Sequence, residues 1–315
     1  MLKYNNILVG VQFRESWSST ADALTPDSRE AVDRAMHLAQ LEGSRVTFVT
    51  AFEAHPETAA ECHAAETDED TVLPAIRREM DKLVINALAM KLDAGWEFLF
   101  GSPWQKLCDK VYTDKHDLLI VGARKRSRFS RTVLGSTSRR VSHFAPCPVW
   151  IVQHQPRPQY ETIVIATDLT AVSEDVLRHG LSWACWNKSE VHIVHAVPNW
   201  FDGRWYRAGY AKEAILNEHQ ETKVKARRTL GDQLAKVMEE MALPSTPHVH
   251  VKTGNPEDVI WRSISGYDAS LLVMGIVGRS GMQRYLVGDT AERLLPGLPC
   301  CLLAIKPEDF SYSPS

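Results

Sequence analysis

Short, nearly unbroken apolar runs alternate along this chain with longer stretches in which apolar positions recur every three or four residues. The runs fall near residues 6–11, 45–52, 96–100, 117–121 and 148–152, and again near 162–167, 190–197, 248–252, 270–274 and 300–305. Between them, Ala31, Ala35, Leu38 and Ala39 mark one helix, and Ile76, Met80, Leu83, Ala87 and Leu88 mark another. Val176, Leu177, Leu181 and Ala184 mark a third, and a long helix is expected from about Lys212 to Met241. A strand that is apolar on both faces belongs where helices cover both sides of a sheet. Strand–helix alternation of this kind predicts an α/β chain with doubly wound, five-stranded parallel sheets of Rossmann-like form.

The pattern occurs twice. Gly101 and Gly254, Gly122 and Gly275, and Gly135 and Gly288 are each 153 positions apart. Both halves open on a similar strand, Asn6–Val11 and Thr162–Thr167, and close on a Cys/Pro-bearing one, Cys147–Val152 and Leu298–Leu303. Shared landmarks in the same order point to a tandem duplication. The expected domains are residues 1–153 and 160–306, joined by the polar, proline-bearing stretch Gln153–Gln159. The length of 315 residues fits two domains.

Composition narrows the function classes. Lys and Arg number 36 against 39 acids, a formal net charge of −3, so nucleic acid is not an expected partner. The N-terminus, Met1-Leu2-Lys3-Tyr4, leads straight into a strand without the apolar segment of a signal peptide. No apolar run approaches the roughly 18 residues of a membrane helix, so a cytoplasmic protein with no membrane contact is expected. The six cysteines contain no C-x-x-C pair, and four lie in apolar segments, as reduced core thiols do. Cys300 and Cys301, adjacent on a predicted strand, are expected to point to opposite faces.

In a doubly wound sheet, ligands bind beyond the carboxyl ends of the strands at the topological switch point. There the second half carries Gly275-Ile276-Val277-Gly278, and after nine intervening residues Gly288-Asp289-Thr290 opens a helix. Glycines let backbone approach a phosphate, and amides at a helix start carry positive charge. The spacing G-x2-G-x9-G resembles the ATP-binding signature of the universal stress protein family, and the resemblance spans nearly the whole chain. It implies a five-stranded Rossmann-like fold, pairing of the two domains within the chain or of whole chains as dimers, and an adenine nucleotide as ligand. It also implies an acidic residue at the end of the first strand that contacts the adenosine; Asp168 holds that position. The nucleotide site expected from the resemblance is thus Asp168, Gly275, Gly278, Arg279, Gly288, Asp289 and Thr290.

Both halves depart from the signature. In the second, Asp289 replaces a small hydroxyl residue after the last glycine, where its charge would repel phosphates unless Mg²⁺ or Arg279 offsets it. Thr290 still offers a hydroxyl. In the first, Gly135-Ser136-Thr137 and Gly122 match, but Lys125 replaces the second glycine and Gln12 the acid. Gly122, Lys125, Gly135, Ser136 and Thr137 therefore outline a weaker anion site beside the basic run Arg124–Arg131. A solvated loop is the preferred reading of that run, since a local run of charge by itself says little.

Other constellations carry less. His192 and His195 are three apart on a strand and face opposite sides, whereas His248 and His250 share a face without a carboxylate following at ligand spacing, so no metal site is expected. Cys62-His63 sits in an acidic loop, and Trp200–Tyr206 reads as a lid or an interface. No catalytic triad, nucleophile elbow or Walker lysine is present, so at most slow ATP hydrolysis is expected. Three readings remain: a nucleotide-responsive stress protein with its site in the second half, a scaffold that kept the fold and acts through protein partners, and, last because no catalytic set is visible, an enzyme acting on a nucleotide.

Overall fold

The computed structural model describes residues 2–14, 22–53, 72–123, 134–154, 162–170, 172–197, 199, 212–239, 241, 246–276, 288–307 and 309–312. Strands β1 (Asn6–Gly10), β2 (Arg45–Phe52), β3 (Ala94–Phe100), β4 (Leu118–Gly122) and β5 (Val149–Val152) belong to the first half. Helices α1 (Pro26–Glu42), α2 (Leu73–Ala89), α3 (Pro103–Asp114) and α4 (Ser136–Phe144) lie between them. The second half has β6 (Thr162–Ala166), α5 (Ser173–Asn187), β7 (Glu190–Val197), α6 (Lys212–Glu239), β8 (His248–Thr253), α7 (Pro256–Gly266), β9 (Leu271–Gly275), α8 (Asp289–Leu294) and β10 (Cys301–Ile305). All ten expected strands are present, with ends within about two residues of the apolar runs.

The chain forms two compact units. One comprises chiefly Lys3–Pro156 with Leu295–Ser315, and the other chiefly Arg157–Met282 with Leu286–Leu294. In the N-terminal unit the strand order is β3-β2-β1-β4-β5-β10. The first five strands are parallel, and β10 runs antiparallel to β5, with Leu302 opposite Ile151 and Ala304 opposite Val149. The last strand of the repeat therefore completes the sheet of the first half, pairing along β5 backbone groups that an edge strand would leave open. Gln153 fastens the junction: its side-chain amide donates to the carbonyls of Leu298 and Cys300, both at 2.8 Å. The C-terminal unit holds β9-β6-β7-β8, all parallel.

The continuous apolar runs are buried on both faces. Ile7, Leu8 and Val9 are fully buried, as are Leu118–Ile120, Ile163–Ile165 and Leu271–Val273. The stripe Ile76, Met80, Leu83 and Ala87 of α2 is buried, whereas Leu88, one position off it, is exposed. Helix α1 shows how local chemistry sets an element: Pro26 follows the N-cap Thr25, whose side chain accepts from the Ser28 N–H, and Gly43 closes the helix at φ 72°. Cys108, Cys147, Cys300 and Cys301 are buried free thiols, Cys185 is half-buried, and Cys62 lies outside the described residues. Cys300 precedes β10, and Cys301 opens it.

Burial also makes the fold sensitive to acid. His179, on α5, is buried, and desolvation pushes its pKa down to about 3. An unfolded imidazole takes up its proton near pH 6.5, so below that value the unfolded state binds a proton that the native state refuses. Stability should therefore fall as pH falls from 6.5 towards 3, by about 2 kcal/mol from this group at pH 5. Urea unfolding at pH 7 and pH 5 checks this. The loss should shrink in His179→Leu, and an undiminished loss would assign it to other groups.

Candidate functional site

The switch point of the C-terminal unit lies between β6 and β9, where the strand order reverses. A cavity of about 1360 Å³ opens there beyond the carboxyl ends of β6, β7, β8 and β9. Its wall includes Asp168, Gly275, Gly288, Asp289 and Thr290, so five of the seven residues expected from the sequence line one space. The other two, Gly278 and Arg279, lie outside the described residues. Lys125, the basic run Arg124–Arg131, the Cys62-His63 loop and Trp200–Tyr206 also lie outside them.

Asp168 is exposed, and its geometry is fixed locally. Its Oδ1 accepts from the Thr170 N–H at 3.1 Å, the Thr170 hydroxyl at 2.7 Å and the Ser173 hydroxyl at 3.3 Å. This turn is held by Leu169, which has φ 63° in the left-handed region that non-glycine residues rarely occupy. The Leu169 side chain packs against Val197, Ala226 and Val251, burial that offsets the backbone cost of about 1–2 kcal/mol.

Gly275 has room around it. A β-carbon built there would meet Val176 at 3.7 Å and Val172 at 3.8 Å, ordinary contact distances. Gly288 leads into α8, and its N–H donates to the Ile276 carbonyl at 2.8 Å. Helix α8 spans only six residues, Asp289–Leu294, so its dipole adds little. The wall carries the carboxylates Asp168, Asp258 and Asp289 against the cations Lys225 and Arg262. Among the described wall residues acids outnumber Lys and Arg, a balance that favours a ligand that brings a cation.

Two contributions were not visible in the linear pattern. His195, at the end of β7, lines the cavity and sets its Nδ1 at 2.8 Å from the Thr167 carbonyl. A carbonyl only accepts, so Nδ1 carries the proton and ties β7 to the residue before Asp168. Helix α6 supplies Thr222, Lys225, Ala226 and Thr229, one face at helical spacing. That spacing was readable, but not that the face turns towards the switch point.

The first half differs at the equivalent place. A β-carbon on Gly122 would lie 2.8 Å from the Asp27 carbonyl carbon and 3.0 Å from its Cβ and oxygen, because the start of α1 rests on this glycine. Asp27 is buried, and its Oδ1 accepts from the His154 N–H at 2.7 Å. The Gln12 carbonyl accepts from the Thr25 N–H and its own N–H donates to the Ser28 hydroxyl, so the end of β1 is engaged with α1 as well. Ser138 on α4 donates to the Gly122 carbonyl at 2.9 Å, with Gly135 as the cap residue and Ser136 and Thr137 in the first turn. Gly122 thus serves close packing here.

Comparison with known proteins places the chain in a family. The model of the universal stress protein family matches residues 3–153 and again 159–306. Universal stress protein E of Escherichia coli K12 is 25% identical over 338 aligned positions, covering 98% of this chain and 96% of that protein. The structure of a universal stress protein from Archaeoglobus fulgidus DSM 4304 superposes with a TM-score of 0.63 at 18% identity, covering 97% of this chain and 99% of the other. A universal stress protein family structure from Arabidopsis thaliana, solved with AMP bound, matches 48% of this chain at 15% identity and a TM-score of 0.34. With both halves matched by the same family, the chain belongs to the universal stress protein family.

Proposed function

We propose that the protein is a tandem universal stress protein of the cytoplasm that binds ATP or a related adenine nucleotide in its second half. The observation that carries this reading is the convergence of Asp168, Gly275 and Gly288 on one cavity at the switch point. Asp168, oriented by Thr170 and Ser173, is the group that would hold the ribose hydroxyls, and Gly275 leaves room for a phosphate to approach the backbone. The carboxylates among the described wall residues, Asp289 above all, favour Mg²⁺ as the companion of the phosphates. The functional domains are taken as residues 1–153 and 160–306, with the family's domain pairing met inside the chain or by a second copy. The first half contributes structure, since Asp27 covers Gly122 where a phosphate would approach.

A second reading, a scaffold that acts through protein partners, draws on the same Asp27–Gly122 contact and on Asp289. Calorimetry and native mass spectrometry of the full chain separate the two. The nucleotide reading expects one adenine nucleotide per chain, affinity for ATP that rises with Mg²⁺, and a loss of at least tenfold in Asp168→Ala, roughly 1.4 kcal/mol or more. No binding at millimolar ATP with Mg²⁺ would leave the scaffold.

A further inference from the structure

A second group of chemically active side chains lies on β7 and β8, on the sheet face opposite His195. Parallel pairing sets His192 across from His248 and Val194 across from His250. Alternation along each strand then brings Glu190, His192, His248 and His250 onto one face. The Glu190 Oε1 is 3.2 Å from His192 Nε2 and 3.4 Å from His248 Nε2. On its other side, the His192 ring sets Nδ1 at 3.1 Å from His250 Nε2. The Tyr267 ring lies flat against His192, with centroids 3.8 Å apart and planes within 3°, and so fixes that imidazole. His192 is buried, while Glu190 and His248 are exposed, with about half of each side chain in solvent.

Donors around a tetrahedral ion with bonds of 2.0–2.1 Å stand about 3.3 Å apart. Both separations from Glu190 Oε1 have that length. We propose that Glu190, His192 and His248 form a binding site for a divalent transition metal such as Zn²⁺. The ligands are Glu190 Oε1 and the two Nε2 atoms, and His250 accepts the His192 Nδ1 proton and thereby fixes its tautomer. Two imidazoles and a carboxylate are a donor set for zinc, nickel or copper rather than for calcium or magnesium. As the side chains stand, no three of them among the described residues are arranged to hold a metal ion, and the His192 and His248 rings lie stacked, 5.1 Å apart and 21° from parallel. Binding therefore closes the site by a turn of the exposed His248 ring onto the fixed Glu190–His192 pair. Until then the carboxylate bridges the two Nε2 positions, which must shed any proton they carry as the metal enters. Lys252, the cation further along the same face of β8, is held by other partners: its Nζ is 3.0 Å from the Ser263 hydroxyl and lies over the Tyr267 ring, the far part of the group.

The test uses the full chain after removal of adventitious metal by chelation. Calorimetric titration with Zn²⁺ should give one ion per chain, and Co²⁺ in its place should give the visible absorption of a tetrahedral site. His248→Ala and Glu190→Gln, both at exposed positions, should each weaken zinc at least tenfold and remove the cobalt absorption. His250→Ala should weaken it less, and His37→Ala, at an exposed histidine on α1, should leave it unchanged. Failure of the wild-type chain to bind zinc at submillimolar concentration would overturn the site. So would binding that survives both His248→Ala and Glu190→Gln. Asp168→Ala is expected to keep zinc binding intact, so this result stands or falls separately from the nucleotide reading.

Discussion

Gly122→Ala should destabilise the N-terminal unit by about 3 kcal/mol, while Gly275→Ala, at the matching position of the repeat, should cost less than about 1 kcal/mol. The two glycines are 153 residues apart and end equivalent strands, yet their surroundings differ. A β-carbon at 122 would sit 2.8 Å from the backbone of Asp27, and backbone in the first turn of a capped helix cannot swing aside as a side-chain end can. Relief would require α1 to lift from β4, which stretches the bond from the His154 N–H to the Asp27 carboxylate at 2.7 Å. A hydrogen bond to a charged group is worth about 1.5–3 kcal/mol, in addition to the cost of overpacking. At 275 the nearest atoms are methyl groups at 3.7 and 3.8 Å, within ordinary contact. Thermal unfolding should show a midpoint about 6–12 °C lower for Gly122→Ala and little change for Gly275→Ala. Equal midpoints would mean that α1 does not rest on Gly122 as described, and with that the case for a closed first-half site would fail.

The contrast also marks where sequence reading reaches its limit. The strands and the duplication were readable because parallel strands covered on both faces must be apolar throughout, and Leu118–Ile120 and Leu271–Val273 repeat that signal at the repeat spacing. That Asp168, Gly275 and Gly288 would come together at strand ends and a helix start was readable from the resemblance to the family's signature, and they line one cavity. What Gly122 does was not, since the same residue answers two demands, phosphate approach and close packing, and only the position of Asp27 decides between them. The Glu190–His192–His248–His250 group escaped for a related reason. His248 and His250 were seen to share a face, but the carboxylate sits on the neighbouring strand, and its relation to them depends on a register that no linear spacing encodes. The pairing of β10 with β5 was hidden likewise, because an apolar strand does not announce which edge it will join.

The buried amine of Lys306 provides the other large effect: Lys306→Met should stabilise the protein at pH 7 by on the order of 3 kcal/mol. Lys306 follows β10, is only 6% exposed, and its Nζ has no hydrogen-bond partner among the described residues. Burial pushes its pKa down to about 8. The neighbouring thiols of Cys108 and Cys147 do not rescue it as counter-ions, because burial pushes each of them up to about 12 and keeps them neutral. The Phe310 ring, 5.4 Å from the ammonium, offers a cation–π contact worth about 1–2 kcal/mol, less than the penalty. Below pH 8 both the folded and the unfolded state hold the proton, and the native state bears the full cost of a buried charge. Between pH 8 and the unfolded value near 10.5 the native state has released the proton and the unfolded state has not, so stability from this group rises with pH. The thiols act in the opposite sense above pH 9, since their folded pKa values are raised. The difference between wild type and Lys306→Met cancels that contribution, so urea midpoints of both proteins from pH 7 to 10.5 isolate the lysine. The advantage of the methionine variant should be greatest at neutral pH and fade towards 10.5, whereas a constant difference would indicate packing alone, and a less stable variant at pH 7 would show that the ammonium is held by a favourable interaction.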